Sequence, residues 1–380
     1  GFGGLSTAHL LRRGLPMEYE ITVVDKKDYF MMGFVNLWIM YGSRNFKESR
    51  HSLKSLEKKG INFLNDVIVD INCDEKSVTI SKNKTKICYD YLIVSLGADY
   101  FPGTITGLVD NECLNLYDPE QAEKIRDKVL ALKEGKIAIC ITSFPYKCPP
   151  APFEAALLVN SMLSKKGTRN DIKINIYSPS LVPLPVAKED VNQDILELLE
   201  KNKINFNGGY KLTEVSSKVT SIFDHGSKRE EVNHDLLIYI PPHGLPPVLK
   251  SSGLVNHDQN WIEVDKFTLK TIYDNVFAIG DSVNIRVNKE ISIPKAGIFA
   301  EGQAKAVSQQ IINDICLSKD MVTKYEGKGF CFMETGDENA GLIEANFYSE
   351  QGPITKLYPA SKESFQKKIE FEQSRLDTWL

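Results

Sequence analysis

Two places in this 380-residue chain combine residue types suited to chemistry. The first is Cys148, in the run SFPYKCPPAPFE over 143–154, where a buried strand ends and a helix begins. A cysteine at the head of a helix is placed where the helix dipole stabilises the thiolate, the reactive form. The other six cysteines are Cys73, Cys88, Cys113, Cys140, Cys316 and Cys331. They are too scattered for a secreted disulfide scaffold, and no CxxC pair suggests zinc, so no metal site is expected. Cys73, Cys88, Cys140 and Cys316 read as small core residues. The second place is the opening GFGGLSTAHLLRRG, a glycine turn running into a helix, followed by a strand that ends in Asp25. Such a turn lets the backbone approach a pyrophosphate at a helix N-terminus, and the later acid takes ribose hydroxyls. Gly1 and Gly4 fill the places of the second and third glycines. A strand and a first glycine are expected ahead of the chain as given, along with any targeting signal.

The elements that must position these residues follow from periodicity. Strands are expected over 63–71, 77–80 and 89–98, the last ending in Gly97. A helix is expected over 119–134, with Gly135 closing it, and then a buried strand over 136–142. This strand–loop–helix unit is where a second dinucleotide would sit. Its loop holds four prolines and no glycine, so it lacks the donors and the backbone approach needed to cradle a nicotinamide dinucleotide in the Rossmann manner. Strands over 173–178 and 234–240 continue the unit. The run YDNVFAIGD then places Gly280 and Asp281 at a strand's carboxyl end, the side that faces the ligand crevice in an open α/β sheet. Lys295, Ala296 and Gly297 lead into a small-residue helix over 298–312. Lys295 at a helix N-terminus is unfavourable unless it faces an anion or an electron-rich ring, which marks it as a candidate contact. A segment from Gly327 onward ends in an amphipathic helix over 362–380.

The fold class is therefore α/β: two Rossmann-like dinucleotide-binding domains plus a small C-terminal α+β segment. The expected layout is a first domain over 1–105, a second over 106–240 without the glycine motif, the rest of the first over 241–326, and a terminal segment over 327–380. Such a length allows two cores with a large cofactor between them.

In order along the chain, the glycine turn, Asp25, YDYLIVSLGA and NVFAIGDS resemble the FAD-dependent pyridine nucleotide-disulfide reductase superfamily. KCPPAPFEAALLV, IPPHGLPPVLKSSGL, VFAIGDSVN, IPKAGIFAEGQAKAV and GKGFCFMETGD together resemble the sulfide:quinone oxidoreductases and the flavoprotein subunit of flavocytochrome c sulfide dehydrogenase. The resemblance implies non-covalent FAD touched by Gly1, Gly4, Asp25, Gly97, Gly280, Asp281, Lys295 and Gly297. It implies a redox disulfide between Cys148 and Cys331, with Cys331 nearer the flavin, that oxidises sulfide to sulfane sulfur or polysulfide. Glu154, one turn after Cys148, is a candidate proton acceptor, with a surface helix carboxylate as the plainer alternative. His243, in the PPHG turn, reads as structural.

Departures from the family pattern matter too. Many quinone-reducing members carry a third cysteine where Tyr117 stands, so a two-cysteine mechanism is expected, with Cys113 a lesser candidate. The run 29–41 has no cysteine for covalent flavin attachment. Quinone is the expected acceptor, with Phe330, Phe332 and Phe347 forming its site. The tail helix (Phe365, Ile369, Leu376, Trp379, Leu380) would be either a membrane-surface anchor or a cap on the core. A c-type cytochrome is the alternative acceptor, and self-association is compatible with either. A type II NADH:quinone dehydrogenase shares the scaffold, but the proline loop and the cysteine pair count against it; a flavoprotein that only carries sulfane sulfur is a third reading. The expected place is peripheral to the cytoplasmic membrane, with a soluble cytoplasmic protein as the alternative.

Composition is consistent with this and excludes other classes. Apolar residues make up 42% and charged residues 25%, and the formal charge of −4 is spread without long single-sign blocks. Nucleic acid is thus not an expected partner.

Overall fold

The computed structural model describes residues 1–256, 259–317 and 323–380. The opening helix Phe2–Gly14 buries Leu5, Ala8 and Leu11 at helical spacing. It leads into strand Thr22–Asp25, which pairs in parallel with Asn62–Asn65. The single strand expected over 63–71 is in fact two: Asn62–Asn65 and Ile68–Asn72 belong to different sheets. The break falls at Asp66, whose carboxylate accepts from the backbone N–H groups of Val67 and Lys82 and so favours a turn over a ladder.

Strand Leu92–Val94 pairs in parallel with Val276–Ala278, Val94 opposite Ala278. That register brings Gly97 and Gly280 out at the same sheet end although they lie far apart in sequence. Ser282 Oγ donates to the Gly97 carbonyl at 3.0 Å, which joins the two exits. Gly97 has φ +73°, which favours glycine, and a side chain added there would project into open space.

The second unit is a five-stranded parallel sheet in the order Leu114–Asn115, Leu236–Ile240, Gly135–Ile141, Ile172–Ser178, Ile204–Gly208. Its central strands are nearly continuous runs of Ile, Leu and Ala, as expected for strands covered on both faces. Helix Ala151–Lys166 packs here and is buried over most of its circumference, because a further layer lies on its outer side. That layer is the antiparallel sheet Lys328–Gly336, Asn339–Asn346, Ile354–Ser361. The two chain crossings between the units run side by side, with Asp99–Tyr100 antiparallel to His243–Gly244.

The tail helix Lys362–Trp379 is capped by Ser361, whose Oγ accepts from the Ser364 N–H at 3.1 Å. Its apolar side lies on the protein core. Trp379 is 3% exposed and packs edge-on against Phe2 and Phe30, and Ile369, Leu376 and Leu380 join the same cluster. Trp379 therefore caps the core, while Phe365, Ile369, Leu376 and Leu380 are only partly covered. No described helix is long and apolar enough to cross a membrane.

Candidate active site

A single cavity of about 1090 Å³ runs from the opening glycine turn to the C-terminal sheet. That exceeds the roughly 300–1,000 Å³ usual for a drug-sized ligand and suits an extended dinucleotide. At one end Gly1 and Gly4, at the N-terminus of the opening helix, and Asp25, at the end of its strand, line the wall. Further along come Gly97, Gly280, Asp281 and Gly297. Gly297 admits close packing rather than an unusual backbone: a Cβ there would stand 2.6 Å from the Phe2 ring.

Lys295 is placed differently from the expectation. It is 6% exposed and does not line this cavity; its ammonium donates to the carbonyls of Asp281 (2.7 Å) and Val283 (3.0 Å) and lies 3.4 Å from the Trp261 ring centroid. Burial lowers its pKa to about 8. In this structure the positive charge at the helix start is met by those two carbonyls.

At the other end of the cavity lie Cys148, Cys331 and Glu154. The topology brings them together: Cys148 follows the central strand, Glu154 starts the next helix, and Cys331 sits on the strand packed over that helix. Both cysteines are free thiols here. Burial and the Glu154 carboxylate hold the Cys148 thiol well above its usual pKa, and the nearby Cys331 adds to this. Cys331 is pushed up to about 12, again by burial and Glu154. The helix dipole therefore does not win at Cys148 in the reduced state; desolvation does.

Glu154 is 1% exposed, which corrects the surface-carboxylate alternative. Its Oε1 accepts from the Glu334 N–H (3.0 Å) and from the Lys368 ammonium (2.8 Å). Lys368, also 1% exposed, donates as well to Glu334 Oε2 at 2.7 Å, and the Trp38 indole N–H donates to that same oxygen at 2.8 Å. Burial raises the Glu154 pKa, while Lys368 opposes the rise. Sequence reasoning missed Lys368, Glu334 and Phe371. The available signal was a lysine on the apolar stripe of the tail helix, three residues before Phe371, a position that polar residues occupy only when paired inside.

Among the aromatics, Phe330, Phe332 and Phe371 line the cavity. Phe330 and Phe332 stand 5.5 Å apart, centroid to centroid, and both meet Phe371. Phe347 does not line it: it is 2% exposed, packed on Phe299 in the other core. Cys113 also lies away from the cavity, against a separate cluster with Cys140 and Tyr239. Cys73 and Cys140 are buried as expected, whereas Cys88 and Cys316 are exposed, at a short outer strand and after a helix end.

Residues 1–140 match the pyridine nucleotide-disulphide oxidoreductase family, and residues 122–241 match the central region of the sulfide dehydrogenase (flavocytochrome c) flavoprotein chain. The mitochondrial sulfide:quinone oxidoreductase of Dictyostelium discoideum is 27% identical over 96% of this chain and 80% of its own length. The mouse mitochondrial enzyme of the same name is 26% identical, again over 96% and 80%. Over nearly its whole length the chain is thus similar to the sulfide:quinone oxidoreductases, and over its middle to the flavocytochrome c sulfide dehydrogenase flavoprotein chain. In fold, the crystal structure of the sulfide:quinone oxidoreductase from Aquifex aeolicus superposes with a TM-score of 0.87 at 24% identity, covering 98% of this chain and 88% of that one. These similarities imply a flavin-type oxidoreductase, and the cavity has features suited to such a cofactor. Its glycines leave room for backbone approach, a helix N-terminus and Asp25 stand at one end, and the cysteines and Glu154 at the other.

Proposed function

We propose that the protein oxidises sulfide to sulfane sulfur through Cys148 and Cys331 and passes the electrons by way of non-covalently held FAD to a quinone. The observation that carries this reading is the convergence of two cysteines from distant segments, with a buried carboxylate, on one cavity shaped for a dinucleotide.

In the oxidised protein the pair is a disulfide. Hydrosulfide attacks one sulfur; the S–S bond breaks, a persulfide forms on that cysteine, and the other leaves as a thiolate carrying the electron pair; a second hydrosulfide takes the outer sulfur away as hydrodisulfide, and the two thiolates close the disulfide again as they give up that pair. When bound, FAD supplies the two-electron acceptor for that pair and the relay to quinone. Gly1, Gly4, Asp25, Gly97, Gly280, Asp281 and Gly297 would hold it. Glu154 takes the proton of the incoming hydrosulfide on Oε2, the oxygen free of the Glu334 and Lys368 bonds. Lys368 keeps a positive charge beside the developing thiolate. The aromatic wall of Phe330, Phe332 and Phe371 suits a flat apolar acceptor, and a lipid-soluble quinone would bring the protein to a membrane surface.

The proline loop at 143–152 gives nicotinamide dinucleotides no glycine cradle, which disfavours the NADH dehydrogenase reading. The test is sulfide-dependent reduction of decylubiquinone by the flavin-loaded protein. Wild type turns over, and Cys148→Ser and Cys331→Ser each lose the activity while keeping their flavin. Turnover in either serine variant at the wild-type rate would remove the cysteine mechanism.

A further inference from the structure

Cys148 is held in a backbone conformation that its own side chain disfavours. Its φ is +54°, in the left-handed region, which a residue with a Cβ keeps only where its surroundings over-determine it. Three bonds supply that control. The Cys148 N–H donates to the Lys295 carbonyl at 2.7 Å, and Lys295 is itself fixed by its ammonium to the Asp281 and Val283 carbonyls. The Tyr117 hydroxyl donates to the Lys147 carbonyl, the oxygen of the peptide that enters Cys148, at 2.5 Å. On the other side of the same residue, the Lys147 N–H donates to His243 Nε2 at 3.4 Å. The His243 Nδ1–H is spent on the Pro241 carbonyl at 2.7 Å, which leaves Nε2 as the acceptor.

We propose that Tyr117 is a positioning residue for the redox pair: its hydroxyl pins the Lys147 carbonyl and so holds Cys148 in the left-handed turn that presents its sulfur to the cavity shared with Cys331. The Tyr117 ring also lies tilted against Tyr100 and edge-on to His243, which fixes the ring that carries the hydroxyl. The inference rests on the assignment of Cys148 to the redox pair. Its chemistry is that of pre-organisation: a group held in reacting geometry needs no further ordering when the S–S bond forms or is attacked.

Tyr117→Phe keeps the ring and removes only the hydroxyl. Two measurements read the effect: kcat and KM for sulfide and decylubiquinone, and the equilibrium of the Cys148–Cys331 pair against reduced and oxidised glutathione. The expected result is a loss of about tenfold in kcat at an unchanged quinone KM, with the disulfide less favoured by about tenfold, and with flavin content and Tm unchanged. Wild-type values for both kcat and the disulfide equilibrium overturn the proposal. So does a loss that only tracks lost flavin or a lowered Tm. If Tyr117→Phe does not fold, His243→Gln loosens the other side of the same residue and is read in the same way. Absence of sulfide turnover in the wild type removes the proposed function, while the glutathione equilibrium still decides whether Tyr117 holds the pair.

Discussion

At the scale of single residues, Glu154 is the proton acceptor of the proposed sulfide chemistry. Its Oε1 is saturated by a backbone N–H and an ammonium, and its pKa is raised by burial. A base acts when deprotonated, so the rate of the sulfide half-reaction should rise with pH as Glu154 ionises and then level off. Glu154→Gln keeps the shape and removes the proton acceptor. We expect a fall of about 100-fold or more in the rate of sulfide-dependent flavin reduction, with that rising limb lost from the pH profile. Retention of the limb in the glutamine variant would place the acceptor elsewhere. The cysteines add a second consequence: both thiols are held above their usual pKa, so a thiolate released at the pair is unstable there unless its electrons move on or a proton arrives.

At the scale of elements, the tail helix inserts Lys368 between Glu154 and Glu334, so the last element of the chain completes the site. Lys368→Met keeps the length and removes the charge, leaving two buried carboxylates facing each other. The expected cost is about 3–5 kcal/mol, measured by urea unfolding of the flavin-loaded protein. Lowering the pH should recover part of it, since protonating one carboxylate relieves the repulsion. A loss below about 1 kcal/mol would mean that the network does not stabilise the docked helix. The helix itself was legible from its periodicity, and so were the buried strands at 136–142 and 173–178, because Ile-rich runs bounded by turn residues have few alternatives. Its destination was not legible. The same apolar face suits a membrane or a core, and it takes the packing against Phe2 and Phe30 to place Trp379 in the core. The double role of Lys295 was hidden for a related reason: position at a helix start says that its charge needs a partner, not that backbone carbonyls from 281 and 283 will supply it.

At the scale of the whole molecule, parallel pairing assembles the site from pieces the chain keeps far apart. Asp25, Gly97 and Asp281 come to one crevice because each follows a strand of the first unit at its carboxyl end. Cys331 and Cys148 come to line one cavity because the C-terminal sheet lies over the helix that Cys148 precedes. The proline loop is the decisive local sequence, since it keeps the scaffold of a second dinucleotide site without its glycines. The most direct measurement is an anaerobic titration of the flavin-loaded protein, following the visible flavin absorbance as sulfide, and separately NADH, is added before decylubiquinone. Sulfide is expected to bleach the flavin, quinone to restore it, and NADH to do neither; bleaching by NADH with no response to sulfide would contradict the proposed function.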